Sequence, residues 1–318
     1  MKYPLTYFII LVTASALYSQ ACCTAGTPLL SSIEMSTSKK GVWQIGLTYE
    51  FNNLTDVLSG SELFKDDTRK RITNSVLMEI SYGISNRFSI TGLFSYVNQI
   101  RRINPKVGEE NELNTKGIGD AVFLLKYNLI SLDIVSQQEL AFGLGGKVPL
   151  GNSGIKSNGI LIPADMHPGT GSYDAIFWAY YSKGFIPAVP VNIFINTSYR
   201  LNGSNNRFQD GNAYRFGDEF ILNAGAGYRT DTPFDFTLFF RYRNTERDEF
   251  ADSKVDNTGG DWLYAVPGIN IKFLNSFIAR LNGQIPLYRK VIGTQLTTTY
   301  TTSFSLFYEF GAAKQLSF

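Results

Sequence analysis

A chain of 318 residues with a formal net charge of +2, 44% hydrophobic and 18% charged residues and a mean hydropathy of −0.07 is too polar for a bundle of membrane helices. The near-neutral charge also removes the electrostatic footprint of a nucleic-acid binder. Yet 24 Phe and 18 Tyr carry the aromatic content to 14%, rich for a water-soluble chain; a transmembrane β-barrel reconciles the two, because lipid-facing and lumen-facing residues alternate along each strand.

The first element is a secretory signal, residues 1–21. Lys2 supplies the positive start, residues 5–17 are apolar apart from Thr6, Thr13 and Ser15, and Ser19-Gln20-Ala21 offers small residues where a signal peptidase reads. Cys22 and Cys23 follow the cut. Cys22 is a candidate lipid-attachment site, set against the plainer reading of a mature start that carries cysteines, since Ser19 stands where the lipid-attachment pattern wants Leu. Residues 22–40, with apolar Pro28-Leu29-Leu30, are expected to lie in the periplasm or to fold into the lumen as a plug. No later run approaches the roughly 18 apolar residues of a spanning helix.

From Val42 onward, segments of about ten residues alternate with period two. Trp43, Ile45, Leu47, Tyr49 and Phe51 share one face, and Gln44, Gly46, Thr48 and Glu50 the other. The pattern recurs around residues 75–82, 87–96, 120–128, 139–148, 191–200, 219–229, 235–243, 277–285 and 299–310. Residues 173–184 are the least clear strand, with aromatics on both faces, and Pro267 predicts a break in pairing within 262–273. The total is about twelve strands, and single-chain bacterial barrels have an even number. Expected connections alternate in length: residues 52–73, 98–115, 151–172, 201–214, 245–259 and 288–296 are long and polar, and the joints between them are short. The reading is therefore all-β, a transmembrane antiparallel up-and-down barrel over residues 41–310 with a tail at 311–318, in the outer membrane with both termini periplasmic. A soluble β-sandwich would have to bury the polar strand faces in its core.

The polar faces nominate lumen-lining residues: Asp120, Lys126, Glu139, Lys147, Arg200, Glu219, Arg229, Arg241, Arg243, Arg280 and Glu309. With Glu50, Glu79 and Lys272 on the same faces, six acidic residues meet eight basic ones, a near balance that fits a paired interior more than a selective ion ring, with Arg229, Arg241 and Arg243 as a basic stripe. Nothing suggests an enzyme. The single histidine, His167, lies in a loop between Pro163 and Pro168 with no nucleophile at a telling spacing. One His and two terminal Cys form no metal set, and no cofactor is implied. Gly117-Ile118-Gly119-Asp120 leads into a strand, so no helix N-terminus is there to hold phosphate.

Three segments together carry a family resemblance: Gly117-Ile118-Gly119-Asp120 with Lys126-Tyr127; Gly169-Thr170-Gly171-Ser172-Tyr173-Asp174; and Ile285-Pro286-Leu287-Tyr288 with Gly293-Thr294-Gln295-Leu296. Over most of the mature chain the sequence resembles the outer-membrane transporter family named for the meta-pathway of phenol degradation. The resemblance implies an outer-membrane barrel that takes up aromatic or other hydrophobic compounds. The expected function is a channel or transporter for a small solute of that kind, with outer-membrane lipid and the solute as partners. The alternative is a non-transport barrel, structural or surface-binding, that acts through its long extracellular loops.

Overall fold

The computed structural model describes residues 37–103, 111–133, 135–186, 188–273 and 276–311. The expected signal peptide, Cys22, most of the segment 22–40 and residues 312–318 lie outside the described residues.

The alternating segments form twelve wall strands: β1 Val42–Ser59, β2 Arg69–Gly83, β3 Phe88–Ile103, β4 Ala121–Ile130, β5 Gln138–Val148, β6 Asp174–Gly184, β7 Val191–Leu201, β8 Glu219–Tyr228, β9 Phe234–Thr245, β10 Gly260–Lys272, β11 Phe277–Val291 and β12 Thr294–Gly311. Each pairs antiparallel with the next, and β12 returns to β1 from Val42↔Gly311 to Ser59↔Thr294, which closes the barrel. Closure gives every wall strand an antiparallel partner on both sides, the condition for crossing lipid with strands. Among the described residues no helix is long and apolar enough to cross a membrane.

One face of the alternation points outward. Leu47, Tyr49, Met78, Ile90, Leu125, Phe142, Leu144, Ile195, Leu238, Phe240 and Phe304 are all exposed. At about 25 cal/mol per Å² of apolar area, a belt of this extent in water would be strongly unfavourable, and lipid removes the cost. Toward the short-turn end the belt carries aromatic rings in contact: Trp43 with Tyr82 at 4.5 Å, Phe88 with Tyr127 at 5.0 Å and Phe277 with Tyr308 at 4.4 Å. Amphipathic rings favour the membrane–water boundary, so this rim marks one interface.

The strands are longer than the hydrophobic pattern predicts. β1 runs on to Ser59 and pairs with the short strand Glu62–Phe64, and β3 runs to Ile103 against Asn111–Ile118, an outward continuation of β4. Much of the expected loops 52–73 and 98–115 is therefore ladder. Above the lipid both faces are wet, so the alternation fades while the backbone pairing continues. The expected long connection 288–296 is likewise a tight turn of Ile292 and Gly293. Gly293 adopts φ 74°, and the Thr294 N–H donates to Asn257 Oδ1 at 2.8 Å, which holds the turn. Pro267 faces Leu238 in the β9 ladder, while pairing with β11 is interrupted between Ala265↔Ile285 and Gly268↔Asn282. This is the local break that a residue without an N–H predicts.

The interior is less uniformly polar than the sequence suggests. Leu93, Val122, Leu124, Ala141, Ile176, Trp178 and Ile221 form one buried apolar cluster. Phe239, Trp262, Tyr264 and Val266 form the heart of another, with Leu58 and Val291 in it and Phe194 packed against it. On β6 the two aromatic faces resolve cleanly: Phe177 is exposed, while Ile176 and Trp178 are buried.

Candidate functional site in the barrel interior

At the long-loop end the mouth is filled by residues 149–173. Asp120 sits in the break between Asn111–Ile118 and β4 and is fully buried. Its Oδ1 accepts from the Gly151 N–H at 3.0 Å, and its Oδ2 accepts from the Thr170 N–H at 2.9 Å and hydroxyl at 2.7 Å. Lys147 Nζ lies 3.3 Å from Asp120 and 2.7 Å from Asp174. A buried ammonium between two carboxylates retains its charge only with such compensation. Further into the loop, Asp165 pairs with Arg71 at 2.9 Å, and the same guanidinium donates to the Asp165 backbone carbonyl at 2.8 Å. Thr115 donates to the Met166 carbonyl at 2.7 Å.

His167 is part of this closure. Its ring is buried, Nδ1 accepts from the Ile155 N–H at 3.3 Å, and Nε2 lies 3.2 Å from the Ile162 carbonyl. Those partners suit the neutral Nε2–H tautomer, and burial pushes its pKa down to about 4. Over the loop lies a small sheet of Ser204–Gln209, Asn212–Arg215, Glu249–Phe250 and Ser253–Lys254. Ala164, Tyr214 and Phe216 form its core with Phe208, Phe250 and Val255. Asp248 accepts from the Tyr214 hydroxyl at 2.6 Å and the Gly217 N–H at 2.8 Å, and burial raises its pKa to about 6.

Further from this mouth the two sides of the interior differ. On the side of β7 to β9, Glu219 is clamped between Arg200 at 2.8 Å and Arg243 at 2.8 Å, and the Arg243 guanidinium stands 5.3 Å from the Trp262 ring. Arg241 donates to Asn223 Oδ1 at 2.9 Å. On the side of β4 to β6, Lys126 is buried with its ammonium 4.7 Å from the Trp178 ring. Glu139, also buried, accepts from the Thr37 hydroxyl at 2.8 Å and N–H at 3.2 Å. The chain just before β1 therefore reaches across to β5. It passes so near Gly83 that a Cβ there would stand 1.9 Å from the Lys39 carbonyl oxygen. Glu309 is exposed near the short-turn rim and accepts from Gln44 Nε2 at 3.3 Å.

The structure thus brings Asp120 and Lys147 together, and likewise Arg200, Glu219 and Arg243. Arg229 does not join Arg241 and Arg243 as a stripe. The β8–β9 register sets Asn223 opposite Arg241 and Tyr228 opposite Phe236, so Arg229 lies at the short-turn end. Near that end is a cavity of about 220 Å³, lined by Tyr180, Phe194, Phe239, Asn270, Arg229 and Arg280 among others. Arg280 donates to Asn270 Oδ1 at 2.6 Å and lies 5.2 Å from the Phe307 ring. Sequence reasoning missed the interior aromatics and the residues that pin the loop, Arg71, Asp165 and Asp174. The only signal for the aromatics was the second apolar face of residues 173–184.

No family model matches the sequence, and no curated protein matches it. Among solved structures, the fold is similar to an outer-membrane channel from Pseudomonas putida F1, with a TM-score of 0.69 and 10% identity over 87% of this chain and 98% of that one. The β-domain of the Bordetella autotransporter BrkA aligns with a TM-score of 0.43 and 11% identity, over 85% of this chain and 100% of that one. The P. putida toluene transporter TodX aligns with a TM-score of 0.42 and 8% identity, over 87% and 92%. The first likeness shows a shared β-barrel fold; the other two are too distant to add to it.

Proposed function

We propose that the protein is an outer-membrane channel for a small solute with hydrophobic or aromatic character, as the resemblance to the meta-pathway transporter family implies. The observation that carries this reading is the interior itself. A barrel that served only as an anchor has no need of a cavity lined by Tyr180, Phe194 and Phe239 inside its wall. The lumen-lining role falls to Lys126, Glu139, Arg200, Glu219, Arg241, Arg243 and Arg280 along the wall, to Asp120 and Lys147 at the loop-filled mouth, and to Arg229 and Glu309 at the short-turn rim. On this reading the long loops face outward, the short turns and both termini face the periplasm, and the protein catalyses no reaction.

The test is solute flux into liposomes that carry the purified full chain, with small aromatic solutes and a sugar of similar size. Faster entry of the aromatics than of the sugar supports the channel. A barrel that accelerates neither overturns it and favours the second reading, a surface-binding barrel, for which the folded sheet over the mouth, with its own core of Tyr214, Phe216 and Phe208, is the supporting observation.

A further inference from the structure

The cavity at the short-turn end combines two chemistries. Its apolar wall is aromatic: Phe194 packs on Phe239 with centroids 5.8 Å apart, and Tyr180 stacks on Trp178 at 6.0 Å with ring planes 2° apart. Its polar wall is cationic. Arg280 and Arg229 both line it, and the single carboxylate in the lining, Asp235, is already occupied by Lys272 at 2.9 Å and by the Thr230 N–H at 3.0 Å. Arg280 is oriented by Asn270, whereas Arg229 is exposed at the rim of the cavity and its guanidinium has no protein partner among the described residues. Further along the same wall Arg241 stands 5.5 Å from the Phe239 ring and donates to Asn223 Oδ1. The volume, about 220 Å³, lies below the roughly 300–1,000 Å³ of sites for drug-sized ligands.

We infer that this cavity binds a small aromatic monocarboxylate, with the ring against Phe194, Phe239 and Tyr180 and the carboxylate on Arg229 and Arg280. A guanidinium binds a carboxylate through paired, charge-assisted hydrogen bonds, and the fork of Arg229 is free to supply them. A neutral hydrocarbon would leave that charge unused, and an aliphatic acid would leave the ring faces unused. The inference names the solute class for the proposed channel and rests on that reading for its purpose, but the binding is measurable without transport.

The experiment is titration of the full chain in detergent micelles with benzoate, cyclohexanecarboxylate, acetate and benzyl alcohol, followed by calorimetry. Benzoate is expected to bind at least tenfold more tightly than each of the other three. Arg229→Gln should weaken benzoate about tenfold and leave benzyl alcohol unchanged. Phe239→Leu should narrow the gap between benzoate and cyclohexanecarboxylate. Retention of the heat-modifiable gel shift of a folded barrel verifies both variants. Benzoate binding no tighter than acetate, or unchanged in Arg229→Gln, overturns the inference. If liposomes pass benzyl alcohol while benzoate shows no preference, the solute class fails and the channel stands. If benzoate binds as expected and liposomes pass nothing, the channel reading fails and the site remains.

Discussion

Glu219 is a tightly held carboxylate of the barrel wall, because both of its oxygens are taken by buried arginines. Replacing it with Gln would leave Arg200 and Arg243 inside the barrel without their counter-charge. Breaking a buried pair in this way costs about 3–5 kcal/mol, so Glu219→Gln should lower the urea midpoint of the detergent-solubilised barrel by a corresponding amount. A shift below about 1 kcal/mol would mean that water reaches the guanidiniums and the clamp is not structural. At this scale the sequence was legible for individual charges: the strand alternation placed Glu219, Arg200 and Arg243 on one face, and register then made them neighbours. It was not legible for Trp178 or Ile221. An apolar residue on the polar face of a strand looks like a lapse in the pattern until the strands on either side bring Leu93, Leu124 and Ala141 to meet it.

Among the elements, the loop of residues 149–173 behaves as a fitted stopper rather than a surface excursion. This loop and the small sheet over it, together the cap of the mouth, hold two groups whose proton affinities oppose each other, His167 in the loop and Asp248 beside the sheet. Asp248, raised to about 6 from 3.8 by burial, holds its proton more tightly in the folded cap. Its contribution to cap stability is complete below the free value near 3.8 and is lost as pH rises through about 6. His167, lowered from 6.5 to about 4, contributes stability above 6.5 that is lost as pH falls through about 4. Between pH 4 and 6 the two slopes cancel, so hydrogen-exchange protection of the cap amides should be nearly flat in the native chain. Asp248→Asn keeps an acceptor for Tyr214 and removes one slope, and its protection should fall as pH drops from 6.5 to 4. In His167→Gln, protection should rise as pH drops from 6 to 4. Parallel pH profiles in all three proteins would refute the balance. The lone histidine was visible in the sequence, but its role was not, since Ile155 and Ile162 become its partners only when the loop folds back on itself.

For the molecule as a whole, strand count, alternation and the exposed apolar belt could all be read in advance, because they follow from lipid outside and pairing everywhere. What could not be read was where the membrane ends: β1 and β3 keep pairing well past their last alternating residue, and β11 turns into β12 with only Ile292 and Gly293 between them. Tryptic digestion of proteoliposomes should therefore spare the β11–β12 junction despite Arg289 and Lys290 beside it, while cutting in the exposed region around Lys65. Equal cleavage at both would mean that the turn opens.

The pairing of β12 with β1 also sets an order of events. From Val42↔Gly311 to Ser59↔Thr294, every contact along this seam joins residues more than 230 positions apart, the costliest loop closure the chain contains. The seam cannot zip until the C-terminal strand has arrived. Until then β1 presents a long open edge, able to capture a strand from another chain. A cell that makes this protein must therefore keep its first strand from pairing elsewhere until the last is in place, and the same strand that completes the cylinder is the one whose loss would turn a closed barrel into a template for aggregation.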